Sequence, residues 1–159
     1  MKLYHGSNME IASIELQKGR PGKDFGKGFY LSAELKQAER MARLTTFRQG
    51  EGIPMVSIFE FDEDTANKDD FIKIKHFHAY NEEWAEFILL NRNNNTAQQA
   101  HDYDIVIGPI ADDAVGMQLR RFLQGYINLS QLVNELSYIH PTIQYFFGSP
   151  HAINLLRKL

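Results

Sequence analysis

The chain has 159 residues, a net charge of −3, 43% hydrophobic residues and no cysteine. That is enough for a single domain over 1–159 with a sizeable core, and no repeat, low-complexity tract or linker divides it. The charge does not imply a general electrostatic grip on nucleic acid. The lack of cysteine excludes disulfides, zinc–thiolate sites and cysteine nucleophiles.

The elements then follow in chain order. Lys2 to His5 reads as a short strand, with Leu3 and His5 on one face. Gly19, Pro21 and Gly22 make residues 7–24 a loop. Gly28 to Leu31 is a second strand, after which Ser32 is placed to cap a helix running to Arg43. Val56 to Phe61 and Phe71 to Phe77 alternate as strands. Asn81 caps a helix with the apolar stripe Trp84, Phe87, Ile88 and Leu89, which ends at Asn93-Asn94-Asn95. Tyr103 to Ile107 is a buried-type strand stopped by Gly108-Pro109. Two helices lie between Asp112 and Tyr138 with a break near Gly125. Thr142 to Phe147 is a further strand, and Ser149-Pro150 opens a final helix. Strands and helices mix without regular alternation, so the expected class is α+β, with mainly antiparallel strands curved into two packed sheets and flanked by helices. No run approaches the roughly 20 apolar residues of a membrane span. Met1-Lys2-Leu3-Tyr4-His5 shows no apolar leader, and a cytoplasmic protein is expected.

Charge is unevenly placed. Lys18, Arg20, Lys23 and Lys27 cluster against Asp24 alone, while Glu60, Asp62, Glu63, Asp64, Asp69 and Asp70 cluster against Lys68 alone. The acidic stretch reads as solvated loop. The basic one lies inside the motif Asp24-Phe25-Gly26-Lys27-Gly28-Phe29-Tyr30-Leu31-Ser32, where it suits an anionic ligand. The Gly-x-Gly step there precedes a strand and lacks the third glycine of a dinucleotide-binding turn, and no Gly-Lys-Ser/Thr step makes it a nucleotide P-loop. What remains is a strand that presents Tyr30, a ring able to stack on an aromatic ligand while its hydroxyl bonds. Upstream, Gly6 after His5 opens the backbone to a ligand, and Ser7 adds a hydroxyl. His76, His78, His101, His140 and His151 show no metal-ligand spacing, so no metal is expected.

Taken together, Leu3-Tyr4-His5-Gly6-Ser7 and Asp24 to Ser32 resemble the ADP-ribosyltransferases of the diphtheria-toxin and poly(ADP-ribose) polymerase class, whose recurring triad is His, Tyr and Glu. Segments Glu83-Trp84 to Asn91-Arg92, Asp102 to Asp113 and Gln144 to Leu156 are further similar to a bacterial family of uncharacterised small proteins with that fold. The resemblance implies NAD as substrate. His5 would bond the adenosine ribose, Gly6 would hold the carboxamide through its backbone, Tyr30 would stack on the nicotinamide, and Ser32 would line the same pocket. Ser7 and Gly28 would belong to it too, and Lys27 is placed near the pyrophosphate on its charge. An acceptor, protein or nucleic acid, is implied as partner. Small bacterial proteins of this type are often toxins of toxin–antitoxin or conflict systems, and the first of these implies an antitoxin as a second partner.

Breaking the nicotinamide–ribose bond builds positive charge on the ribose, as in glycoside hydrolysis, and a carboxylate nearby stabilises it. The position matching the family glutamate is Gln144, which can bond a hydroxyl and carries no charge. Candidate replacements are Glu83, Glu86, Asp112 and Asp113, and Arg92 is placed to bind phosphate or pair with Asp104. Four readings follow: a mono-ADP-ribosyltransferase; a non-catalytic NAD or ADP-ribose binder, which Gln144 favours; an RNA 2′-phosphotransferase on a similar fold; and an interaction protein using the helices of 112–138.

Overall fold

A computed structural model describes residues 1–159. Seven strands run through it: β1 (Lys2–Ser7), β2 (Phe29–Ser32), β3 (Met55–Phe61), β4 (Ile74–His76), β5 (Ile105–Pro109), β6 (Ile143–Phe147) and β7 (Leu156–Lys158). Six helices join them: α1 (Leu35–Gln49), α2 (Glu63–Ala66), α3 (Glu82–Asn93), α4 (Asp113–Leu123), α5 (Leu129–Leu136) and α6 (Pro150–Ile153). The strands form one hydrogen-bonded sheet in the order β4-β5-β6-β2-β1-β3-β7. The class is α+β as expected, but a single curled sheet stands where two packed sheets are expected. Its pairings are antiparallel except for β4 with β5, which is parallel, so the sheet is mixed.

Short polar residues start most of the helices. Asn81, Asp112, Asn128 and Ser149 each accept a backbone N–H of the first turn, and Pro150 follows Ser149. Ser32 is two residues too early to cap α1. Its hydroxyl accepts the N–H of Glu34, and Glu34 takes the cap position without a side-chain bond. The helix continues past Arg43 to Gln49 and stops at Gly50. Phe71 lies outside β4, its ring 83% exposed, because its N–H turns back to Asp69.

Two core clusters occupy the two faces of the sheet. On one, Leu3, Leu31, Phe59, Phe61, Tyr145 and Phe147 pack beneath α2 and α6. On the other, Val106 and Phe146 meet Trp84 and Ile88 of α3, Leu119 of α4 and Leu132 of α5. Over the β1 end of that second face lies α1, and the contact is backbone to backbone. A Cβ on Gly6 would sit 1.9 Å from the Ala38 carbonyl oxygen and 2.7 Å from the Ala42 nitrogen. Ala38 and Ala42 are themselves buried, so the helix rests on β1 through its smallest residues. Gly6→Ala is therefore expected to destabilise the fold by about 3 kcal/mol, since neither backbone can retreat. Urea unfolding measures this, and a loss well under 1 kcal/mol contradicts the packing.

Candidate functional site

The strand register brings the sequence-selected residues to one region. Tyr4 of β1 faces Ser32 of β2, Ser32 faces Gln144 of β6, and Gln144 faces Gly108 of β5. Cross-strand partners share a face, so Ser32 and Gln144 lie on the side of the sheet where Tyr30 packs against Phe146. His5 does not join them there. Its ring stacks on Phe29 at 4.4 Å, on the opposite face, among the neighbours of Leu3.

What links the two sides is a split in the sheet. β1 pairs with β3 along its whole length to Ser7, but its ladder with β2 stops at Tyr4 and Ser32. From His5 to Ser7 the β2-facing edge of β1 has no strand partner. The His5 side chain fills part of the gap, with Nδ1 2.7 Å from the Tyr30 carbonyl oxygen. A carbonyl only accepts, so Nδ1 carries the proton and Nε2 bears the lone pair of a neutral ring. Nε2 bonds no protein group and is not sealed from solvent. The Gln144 amide is likewise unclaimed. Its Nε2 is buried without a partner, which costs about 1–3 kcal/mol until an acceptor arrives. Ser7 closes the strand with its hydroxyl donating to Asn8 Oδ1 at 3.4 Å.

The Gly-Lys-Gly loop is held rigidly beside the split. The Tyr30 hydroxyl accepts the Phe25 N–H at 3.0 Å and donates to the Gly26 carbonyl at 2.6 Å. Burial pushes that phenol well above its ordinary value, which favours the neutral, donating form. Gly26 has φ +94°, a backbone conformation open to glycine. Gly28 lies against the Phe146 ring and the Phe147 carbonyl, where a side chain has no room. Asp24 pairs with Arg92 at 2.8 Å and accepts the Ala111 N–H. Arg92 does not pair with Asp104: its carboxylate partner is Asp24, and Asp104 accepts the Lys73 N–H.

Most of the candidate carboxylates already have work elsewhere. Asp112 caps α4, Asp113 pairs with Arg40 at 3.1 Å, and Glu83 pairs with Lys75. Glu86 is exposed on α3. Sequence reasoning missed Phe29, which stacks on the His5 ring, and Gln99 and His101, which hold the loop from more than 70 residues away. Nothing local in the sequence signals them, because their contacts are long-range.

A family profile described as a protein of unknown function, DUF3990, matches residues 1–158. No curated protein and no solved structure matches the chain. No group of His, Asp or Glu is arranged to hold a metal ion, and no helix is long and apolar enough to cross a membrane.

Burial holds the His5 imidazole below its ordinary value of 6.5, against a smaller opposing effect from its bond to Tyr30. Burial lowers His101 in the same direction. The unfolded chain therefore takes up protons near pH 6.5 that the folded chain refuses. Stability is full above about pH 6.5 and declines as pH falls through the depressed folded values. The carboxylates held low, Glu10, Asp62 and Asp102, act only below this window. Denaturation midpoints are expected to decline between about pH 6.5 and 5, and less steeply in His5→Asn. An identical slope in the variant contradicts the assignment.

Proposed function

The chain belongs to the DUF3990 family, and from the site it carries we propose that it binds NAD across the split between β1 and β2 and acts as a mono-ADP-ribosyltransferase. The fold it uses is, on this reading, ADP-ribosyltransferase-like. The observation that carries the reading is the His5 imidazole: fixed by the Tyr30 carbonyl at the point where the ladder stops, with an acceptor nitrogen left open. A neutral imidazole acceptor suits a ribose hydroxyl, which donates to it.

The two-faced layout suits the shape of the ligand. NAD has two riboses joined by a pyrophosphate. A dinucleotide threaded through the split meets His5 on one face and Tyr30, Ser32 and Gln144 on the other. The unpaired backbone edge at Gly6 offers an N–H and a carbonyl, the complement of a carboxamide. Gly6 keeps these groups on the strand edge, in the plane of the sheet, while α1 fills the space above it.

In the reaction the C1′–N bond of the nicotinamide ribose breaks and its electron pair leaves with nicotinamide. The ribose passes through an oxocarbenium-like state, and the acceptor's nucleophile bonds to C1′ and gives up its proton. Gln144 orients a ribose hydroxyl through its amide. It adds a dipole where a glutamate would add a full charge, so turnover is slow compared with a carboxylate enzyme. The acceptor is a protein or nucleic acid, and an antitoxin partner is part of the same expectation.

The neutrality of Gln144 favours a second reading, a module that holds NAD or ADP-ribose without cleaving it. Asp112, Asp113 and Glu83 are already engaged, which strengthens that alternative. Incubation with NAD carrying label in both the nicotinamide and adenylate halves separates the two. Transferase action releases nicotinamide and leaves adenylate label on an acceptor from lysate, and Gln144→Glu is expected to raise the rate by about tenfold or more. NAD binding without nicotinamide release from either protein leaves the binding module. No NAD binding at millimolar concentration overturns both.

A further inference from the structure

We propose that Gln99 is a positioning residue for the ligand's pyrophosphate, acting through Lys27; this rests on the NAD reading above. Its amide is a two-point clamp. Nε2 donates to the Lys27 carbonyl, and Oε1 accepts the Lys27 N–H at 3.1 Å. Both backbone groups of Lys27 are consumed in this way. The loop therefore cannot cradle phosphate with the Lys27 backbone, and what Lys27 has left to offer is its side chain. That side chain forms no ion pair, although nine of the chain's carboxylates are engaged in them.

The clamp is built, because the segment that carries Gln99 is itself braced. The Asn94 side chain donates to the Gln98 carbonyl at 2.7 Å and accepts from both the N–H and the hydroxyl of Thr96. At the other end His101 Nε2 donates to the Phe25 carbonyl at 2.7 Å, while its Nδ1 accepts the Tyr103 N–H. The Asn94 carbonyl also takes the Gly22 N–H at 3.1 Å. Residues 94–101 thus form a strut against the Gly-Lys-Gly loop, in addition to the bonds that Tyr30 makes to it. Gly26 is part of the fit: a Cβ there would lie 2.4 Å from Gln99 Oε1 and 3.0 Å from Asn91 Oδ1. The strut spares a flexible lysine the cost of ordering its own backbone when an anion binds, which is the general benefit of preorganisation.

Coupling between Gln99 and Lys27 separates this role from simple support. Calorimetry with NAD and with ADP-ribose compares the wild type, Gln99→Met, Lys27→Met and the double variant, each well below its melting temperature. Gln99→Met is expected to weaken both ligands roughly tenfold, because it keeps the length and removes both bonds. Gln99→Glu, which accepts from the Lys27 N–H but cannot donate to its carbonyl, falls between. In the Lys27→Met background, Gln99→Met is expected to cost less than about threefold more, since the group it positions is gone. Losses that multiply in the double variant overturn the inference while leaving the NAD reading intact. A wild type that binds neither ligand overturns the NAD reading, and this inference with it.

Discussion

The hydrogen bond from His5 Nδ1 to the Tyr30 carbonyl takes the place of a ladder rung. Two antiparallel strands would ordinarily continue pairing past Tyr4 and Ser32, and an edge left unpaired inside a sheet would expose costly backbone groups. A side chain spans the gap instead. That substitution stops the ladder without breaking the sheet, because β1 stays anchored to β3 through Ser7 and β2 stays anchored to β6 from Phe29 to Ser32. The same bond sets the imidazole's tautomer. Sheet geometry, a reachable acceptor and an unpaired backbone edge are therefore consequences of one contact.

Around the split, constraint comes from packing on one side and polar bonding on the other. The close rest of α1 on Gly6 fixes where β1 ends. The loop before β2 has little apolar cover apart from Phe25, which is fully buried, and is held by a chain of polar groups: Asp24 to Arg92, the Tyr30 hydroxyl, Gln99 and His101. Tyr30 serves both sets. Its ring packs on Phe146 while its hydroxyl ties the loop, so its place in the motif has a structural reason before any ligand is considered.

Much of this was legible in the sequence where the signal was local. Asn81, Ser149-Pro150 and the break at Gly125 placed the later helices, because caps and turns act over three or four residues. The strand β3 was visible as an alternating run and β6 as a strand over Thr142 to Phe147, although the sheet that joins them is one and not two. β7 and α2 were not legible, being short elements that owe their form to neighbours across the sheet. In the site, His5, Tyr30 and Gln144 stood out by residue type and motif. That His5 lies on the other face from Tyr30 was hidden, since it depends on register between β1 and β2. The Asp24–Arg92 pair and the Gln99 clamp were hidden for the same reason: each joins positions 68 or more apart.

The central claim, that NAD occupies the split between β1 and β2, is tested most directly by titrating NAD into isotope-labelled protein and following backbone amides together with the His5 ring nitrogens. The account predicts that Gly6, Ser7, Tyr30 and Gln144 shift together and that His5 Nε2 moves as a hydrogen bond forms, while Nδ1 stays protonated. Shifts confined to the α4–α5 surface, or a His5 ring unmoved at saturating NAD, would contradict it.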